Sequence, residues 1–366
     1  MGMADIEAAV TAQRCAAQLL SGPPARSPLE VVRRLLAVQG QDPRGARLAV
    51  RARSAGLTAA DVDSALTADR SLLITWLNRG TLHLVTAEDY WWLHRLTAPP
   101  MTRAIARRLA QEDVAQDAAD RAVSVIGSAL AGHGPLTRAQ LAERIEAAGV
   151  RTAGQALVYL LGLASLRGLI VRGPMTGREH AYVLAADWLG PRPARFDPAR
   201  FDRDAALAEL ARRYLAGHGP ASDRDLAKWA GLPAGDARRG LTAIGSALRQ
   251  RPDGLAELAA GPGGQDRPGG AEDGVPALPP PRLLGAFDPL LHGWTHREPI
   301  LGPHRQIITV NGLFRPFALA GGRAVGTWRL AGGAVALAPF GPLPEPVAAA
   351  LRAEAADVVR FLGSRL

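Results

Sequence analysis

Several residue types and patterns are scarce in this sequence, and each absence excludes a class of protein. Among the 366 residues there is one cysteine, Cys15, so neither an intramolecular disulfide nor a cysteine metal cluster can form. Arg, Gly or Pro interrupts every apolar run well before the ~18 residues that a membrane-spanning helix needs. Residues 1–7 carry acids where a secretory signal carries basic residues. We therefore expect a cytoplasmic protein with no membrane partner.

The motifs of common hydrolases are also absent. The sequence contains no Gly-x-Ser-x-Gly, no phosphate-binding glycine loop and no paired Cys-x-x-Cys. His292 and His296 are four residues apart, but Gly293 stands where the zinc motif His-Glu-x-x-His requires glutamate. We therefore predict that the protein binds no metal and uses no other cofactor.

Lysine is nearly absent, although the protein is basic. Arginine and lysine together number 43 against 34 acidic residues, for a formal net charge of +9, and Lys228 is the single lysine. Because a guanidinium donates two parallel hydrogen bonds to phosphate or to a base edge, this balance favours a nucleic-acid partner. A GC-rich genome also produces arginine-rich chains, and surface arginines often serve solubility alone. Composition leaves both interpretations open.

The chain contains an internal repeat. An apolar fraction of 48% is typical of a globular protein, and the length predicts two or three structural units. The hexapeptide Leu-Ala-Gly-His-Gly-Pro occupies residues 130–135 and again residues 215–220. A capping pair follows each copy, so both copies predict a helix, a tight turn and a second helix. The capping pairs are Thr137 with Gln140 and Ser222 with Asp225.

Two parts of the chain predict three helices followed by a β-hairpin, which is the pattern of a winged helix. After the first copy of the repeat, helical spacing covers residues 152–169, and strands follow at 170–172 and 180–184. In the N-terminal part, caps start three helices, of which the first ends near Val38, and Asn78-Arg79-Gly80 joins two strands. These caps are Ser27 with Glu30, Asp42, and Thr58 with Asp61, and the strands cover residues 72–77 and 81–85. Thr86 with Asp89 opens a further helix, whose Tyr90, Trp91 and Trp92 we assign to the core.

The C-terminal part has a different periodicity. Residues 251–282 are dominated by Gly and Pro and predict an exposed loop or wing extension without regular structure. Beyond them, alternating apolar positions predict four strands, two glycine hairpin turns and a final amphipathic helix. The strands cover residues 306–311, 313–319, 323–330 and 334–338, the turns are Gly321-Gly322 and Gly332-Gly333, and the helix covers residues 346–362.

The predicted fold class is α+β, mainly α, with tandem winged-helix motifs and a small C-terminal β-rich unit. Each winged helix combines a helix-turn-helix with a β-hairpin wing. The predicted boundaries are 1–100 for the first winged helix, 101–195 for the second, 196–285 for the third with its Gly/Pro-rich loop, and 286–366 for the C-terminal unit.

Gln39-Gly40-Gln41 lies between two predicted helices. Side chains at alternate positions of a short connector can converge on one external point, so two neutral amides would face it. On physical grounds alone, such amides usually cap helices or face solvent. Asp42 is the nearest carboxylate, and it can act either as a general base or as the cap of the helix that Pro43 begins.

Several separated blocks of the sequence resemble the AlkZ and YcaQ winged-helix DNA glycosylases, and the resemblance spans nearly the whole chain. The blocks are Val38-Gln39-Gly40-Gln41-Asp42-Pro43-Arg44, Trp76-Leu77-Asn78-Arg79-Gly80-Thr81-Leu82-His83-Leu84, Phe287-Asp288-Pro289-Leu290-Leu291, Asn311-Gly312-Leu313-Phe314-Arg315-Pro316 and Gly326-Thr327-Trp328-Arg329. In this family the catalytic motif is Gln-x-Gln, or Gln-x-Asp in the YcaQ branch. The resemblance therefore implies that Gln39 and Gln41 are catalytic, and it places the chain in the AlkZ branch, although Gly40 replaces the usual aliphatic residue.

The resemblance implies a monofunctional DNA glycosylase that removes N7-alkylated guanines from double-stranded DNA. The AlkZ branch is associated with antibiotic producers that repair bulky adducts or azinomycin-type interstrand crosslinks, so we expect a monomer that acts on the nucleoid in self-resistance. We expect DNA contacts from five residues at or near the hairpins, namely Arg79, His83, Arg323, Thr327 and Trp328. A non-enzymatic winged-helix regulator would share the repeat, the arginines and the aromatic core, and it remains the alternative.

Overall fold

The computed structural model describes residues 3–177, 179–197, 199–259, 275–309 and 311–363. Contacts between residues divide the chain into two compact units. Unit 1 comprises Met1–Asp63, Leu207–Trp229 and Pro233–Leu366, and unit 2 comprises Ser64–Ala206 and Ala230–Leu232. Among the residues described, every helix is too short or too polar to cross a membrane.

About half of the described chain is helical, and its sheets are small, which confirms an α+β fold. The α-helices of the described residues are α1 Met3–Ala17, α2 Pro28–Leu35, α3 Pro43–Arg51, α4 Ala59–Thr67, α5 Ala87–Gln111, α6 Gln116–His133, α7 Arg138–Ala147, α8 Ala156–Leu166, α9 Ala185–Leu189, α10 Arg203–His218, α11 Asp223–Ala230, α12 Ala234–Ala243, α13 Glu298–Leu301 and α14 Glu345–Leu362. The strands are β1 Val38–Gln39, β2 Leu72–Trp76, β3 Leu82–Thr86, β4 Ile170–Thr176, β5 Glu179–Leu184, β6 Leu248–Gln250, β7 Ala256–Leu258, β8 Arg282–Leu284, β9 Phe317–Ala320, β10 Arg323–Ala331 and β11 Ala334–Pro339.

Helices begin where the sequence places capping residues. Thr137 accepts the backbone N–H of Gln140, and the Gln140 side chain accepts the N–H of Thr137 in return. Each such bond satisfies a backbone donor that the first helical turn leaves without a partner. Ser27, Thr86 and Ser222 likewise accept the backbone N–H three residues further on and start α2, α5 and α11. At the start of α4 the side chain of Asp61 accepts the backbone N–H of Thr58. α2 ends at Leu35, before the predicted Val38, because Leu36 adopts a left-handed φ of 63°.

Unit 2 contains an antiparallel sheet and one apolar cluster. Its strands are arranged in the order β3-β2-β4-β5. Helices α5, α6 and α8 contribute Ile105, Ile126 and Leu160 to a shared buried cluster. Tyr90, Trp91 and Trp92 at the start of α5 are at most 9% exposed. Their predicted assignment to the core is therefore confirmed.

Unit 1 contains a second antiparallel sheet, in the order β11-β10-β9-β8, against which α14 packs. The two predicted glycine pairs, at 321–322 and 332–333, form the hairpin turns on either side of β10, and all four glycines have positive φ. Strands β10 and β11 and helix α14 lie where the sequence predicts them.

Other parts of the C-terminal prediction are wrong. Residues 305–307 form a short 3-10 helix and the chain then turns at 312, so no strand covers the described part of 306–311. The strand predicted over 313–319 begins only at Phe317, because before it Phe314 forms an isolated antiparallel bridge with Ile308 and no continuous ladder. The predicted loop 251–282 includes strand β7, which pairs with β6, while residues 260–274 and Val310 lie outside the described residues. The four predicted unit boundaries remain predictions.

A buried ion pair ties together distant parts of unit 1. The guanidinium of Arg53, just after α3, donates to both carboxylate oxygens of Asp288 at 2.8 and 2.9 Å. Both side chains are fully buried. Arg53 also donates to the Gln18 side chain and to the Ala49 carbonyl, so its charge is surrounded by acceptors. Removing one member would leave the other as an uncompensated buried charge.

We expect Asp288→Ala to lower the free energy of unfolding by about 3–5 kcal/mol, the usual cost of breaking a buried pair from one side. Arg352→Ala is the matched control, because its pairing with Glu345 is exposed on both sides and such pairs contribute at most about 1 kcal/mol. Urea denaturation measures both values. Equal losses in the two variants would contradict a structural role for the Arg53–Asp288 pair.

Candidate active site

The Gln-x-Gln motif lies in the connector between α2 and α3 of unit 1. Left-handed Leu36 ends α2, and Val38 and Gln39 then form the two-residue strand β1. Gln39 is only 8% exposed, whereas Gln41 is exposed. The connector therefore carries one buried and one exposed amide on either side of Gly40.

Asp42 ends the motif and begins α3. Its side-chain oxygen accepts the backbone N–H of Arg44 at 3.0 Å, and Pro43 takes the first helical position, where no backbone donor is needed. The prediction that Asp42 caps this helix is confirmed. One carboxylate oxygen is committed to that cap.

α3 lies unusually close to the backbone of residues 285–286. A Cβ added to Gly45 would lie 2.2 Å from the carbonyl oxygen of Ala286, and one added to Gly285 would lie 3.1 Å from the Gly45 Cα. Only glycine permits this approach. Two residues after Ala286, the Asp288 carboxylate accepts hydrogen bonds from Arg53, which follows the C-terminal end of α3. The segment 285–288 therefore fixes the helix that follows the glutamines.

Arg79 and His83 are brought together at the hairpin of β2 and β3 in unit 2. Arg79 has a left-handed φ of 58°, and its Nη2 lies 3.5 Å from the Nε2 of His83. The Nδ1 of His83 lies 3.0 Å from the carbonyl of Thr81, which can only accept, so Nδ1 carries the proton. Burial first, and the Arg79 charge second, lower the pKa of His83 to about 3. His83 is thus a neutral, 2%-exposed support for the arginine.

Arg323, Thr327 and Trp328 all lie on β10 of unit 1, but they face different ways. Arg323 is exposed and Thr327 is half-buried, whereas Trp328 is 4% exposed. The indole Nε1 of Trp328 donates to the Leu284 carbonyl at 2.9 Å. Packing against β8 accounts for Trp328, so Arg323 and Thr327 are the members of this group that a ligand can reach.

Sequence reasoning missed a group of arginines in unit 2. Arg95, Arg103, Arg167 and Arg192 line a single cleft, together with Pro99 and Thr102. On α5, positions 95, 99, 102 and 103 recur at the spacing of one helical face, and this was the available signal. Arg167 and Arg192 come from other segments, so the spacing alone could not have assembled the cleft.

Comparison with known proteins agrees with the motif blocks. A family model described as DNA glycosylase AlkZ-like matches residues 32–361. An interstrand DNA cross-link repair glycosylase of Streptomyces sahachiroi is 28% identical over 390 residues, covering 98% of this chain and 97% of that protein. The solved structure of the Streptomyces sahachiroi DNA glycosylase AlkZ has a TM-score of 0.73 at 26% identity, covering 97% of this chain and 96% of that one. The chain therefore belongs to the AlkZ-like DNA glycosylase family.

Proposed function

We propose that this DNA glycosylase releases N7-alkylated guanines from duplex DNA, including guanines joined in interstrand crosslinks. The name of its Streptomyces relative, which matches almost the whole chain, supports the crosslink as a substrate. Membership of a glycosylase family favours an enzyme over the alternative of a non-enzymatic winged-helix regulator.

The chemistry of the proposed substrate suits a site without a strong acid. Alkylation at N7 makes guanine cationic, and therefore a good leaving group. The C1′–N9 bond breaks and its electron pair neutralises the departing base, while a water oxygen bonds to C1′ and releases its proton to solvent. The enzyme has to position that water and stabilise an oxocarbenium-like sugar. Protonation of the base is unnecessary.

Gln39 and Gln41 fit the task of positioning water. Each amide offers a carbonyl acceptor and an NH₂ donor, so two amides can orient one water without titrating. The observation that carries the proposal is the position of these amides in a connector fixed at both ends, by Leu36 at the end of α2 and by the Asp42 cap of α3. Preorganised polar groups of this kind act without rearrangement during the reaction.

The order of elements supports DNA binding through winged helices. Three times along the chain, three helices precede an antiparallel hairpin: α2–α4 before β2 and β3, α6–α8 before β4 and β5, and α10–α12 before β6 and β7. We propose these as three winged helices, within residues 1–100, 101–195 and 196–285, followed by the C-terminal unit 286–366. A monomer would then contact duplex DNA of the nucleoid through Arg79, Arg323 and Thr327.

The proposed enzyme is monofunctional. Strand-cleaving glycosylases attack the sugar with an amine. The single lysine of this chain, Lys228, directs its ammonium to the carbonyl of Thr295 at 3.3 Å.

We expect Gln39→Ala and Gln41→Ala each to slow single-turnover excision of N7-methylguanine by roughly 10- to 1,000-fold, the usual effect of losing one positioned polar group. Binding of the same duplex should barely change. Excision is measured by alkaline cleavage of the abasic product, and binding by gel shift.

Two control variants sharpen this test. Gln116→Ala removes an exposed amide that donates a hydrogen bond to its helix neighbour Asp120, so it should leave the rate unchanged. Asp42→Asn retains a capping oxygen and should remain largely active. An inactive Asp42→Asn variant beside two active glutamine variants would transfer the catalytic role to the carboxylate.

The excision rate should vary little between pH 6 and 8. Burial lowers the pKa of His83 to about 3 and that of His94 to about 4, so both imidazoles stay neutral throughout this range. Amides do not titrate, and carboxylates of ordinary pKa are already ionised. The measurement is a single-turnover rate profile at constant ionic strength. A tenfold change in rate per pH unit would implicate a titrating residue instead of the glutamines.

We expect the enzyme to unhook a defined crosslink between the N7 atoms of two guanines as well as to release N7-methylguanine. Denaturing electrophoresis of an end-labelled crosslinked duplex separates joined from unhooked strands. The proposed substrate range is wrong if methylated bases are released while the crosslink stays intact under the same conditions.

A further inference from the structure

A cleft of about 370 Å³ in unit 2 is lined by four arginines together with His94, Thr102 and the apolar residues Ala98, Pro99 and Leu166. Arg95 and Arg103 come from α5, Arg167 follows α8, and Arg192 follows α9. Among the residues described, Asp120 is the only carboxylate that pairs with any of these arginines, and it pairs with Arg167. Three of the four arginines therefore have no carboxylate partner among the described residues, and the cleft keeps a net positive charge.

Two of the arginines that have no carboxylate partner, Arg192 and Arg95, are held by other contacts. The guanidinium of Arg192 stacks over the ring of Trp91, 5.0 Å from its centroid. Its Nη2 would lie only 3.1 Å from a Cβ at position 168, so Gly168 leaves the space that Arg192 fills. The Nε of Arg95 is buried and has no hydrogen-bond partner within the described chain. A buried donor of this kind is costly unless a ligand or water supplies an acceptor.

The other polar side chains of the cleft, Thr102 and His94, use their donors within the protein and provide no strong acceptor for a neutral base or sugar. Thr102 donates its hydroxyl to the Ala98 carbonyl at 3.2 Å. His94 directs Nε2 to the Ser165 carbonyl at 3.1 Å, so that nitrogen carries the proton. A ligand that satisfies the guanidinium groups of Arg95, Arg103 and Arg192 must accept hydrogen bonds and carry negative charge. A phosphate group has this chemistry, and arginine binds it through two parallel hydrogen bonds.

We propose that this cleft binds a phosphodiester of the DNA backbone and anchors the duplex through unit 2, as a contact additional to those proposed for the glutamines and the hairpin arginines. The inference rests on the proposed duplex DNA substrate, since the same arginines could otherwise hold a free phosphate. Duplex DNA is favoured because Arg103 is exposed at the rim, where a continuous backbone can reach it. Such a contact positions the DNA but does not take part in bond breaking.

The test measures binding of an undamaged fluorescent duplex at several salt concentrations, so it does not depend on excision. We expect Arg103→Ala and Arg192→Ala each to weaken binding several-fold and to reduce the slope of log K against log salt by about 0.9, the value for one lost phosphate contact. Arg108→Ala, on the same helix but outside the cleft, is the charge-matched control. Its slope should equal that of the unmodified protein. Arg192→Lys should keep the slope and lose part of the affinity, because lysine retains the charge but cannot donate two parallel hydrogen bonds to one phosphate.

Single-turnover excision of N7-methylguanine, measured across a range of enzyme concentrations, separates this inference from the proposed catalytic function. If the arginines anchor DNA, Arg103→Ala and Arg192→Ala should need a several-fold higher enzyme concentration for half-maximal excision, in proportion to their weaker binding. Unaltered salt slopes in both variants would overturn the phosphate site and leave the role of the glutamines intact. The alternative that the cleft binds a free phosphate is tested by adding inorganic phosphate at constant ionic strength and measuring the melting temperature. If it raises the melting temperature of the unmodified protein but not of the variants, while DNA binding is unaltered, the cleft holds a free anion and the proposal is wrong.

Discussion

The pairing of Arg53 with Asp288 is the interaction on which the geometry of unit 1 depends. The two charges of a pair without solvent contact have to stay together, because separating them would leave each charge buried without a partner, at a large cost in desolvation free energy. Here the pair joins the end of α3 to the segment that precedes residues 289–291, and Gln18 joins both to the end of α1. The connector with the glutamines precedes α3, so its position is set by residues far away in sequence.

The proposed mechanism divides labour between neutral and charged side chains. Amides face the reacting sugar, where a strong base is unnecessary because the damaged base already carries the charge that promotes its departure. Guanidinium groups stay with the phosphates, whose charge is independent of the lesion. The surroundings of Arg79 do not change between pH 6 and 8, because its neighbour His83 stays neutral there and offers a lone pair to the guanidinium. Neither the proposed DNA contact of Arg79 nor the proposed action of the amides then depends on a group that titrates near neutral pH.

The features that could be predicted from the sequence are those decided within a few residues. A cap such as Thr137 acts on the N–H of Gln140, and glycine pairs such as 321–322 define their own turn. The predicted strand over 306–311 was wrong because the chain forms a 3-10 turn up to Ile307 and Ile308 then pairs with Phe314 in an isolated bridge, and local spacing cannot show how far such pairing extends. The arginine cleft was missed for the same reason, since Arg192 reaches it only through tertiary packing over Trp91. The proposal that Gln39 and Gln41 are catalytic needed the family resemblance, because two amides in a connector have no distinctive physical signature.

Gly45 limits how this sequence can change over evolution. The atom that a Cβ would strike is the carbonyl oxygen of Ala286, which belongs to the main chain and cannot rotate away as a side chain can. Substitution at position 45 therefore has to be preceded by movement of the 285–288 backbone, and that backbone is held by the buried Asp288. A side chain at position 45 is therefore tolerated only where the 285–288 segment has taken another path, and Arg53 and Asp288 can be replaced only as a pair.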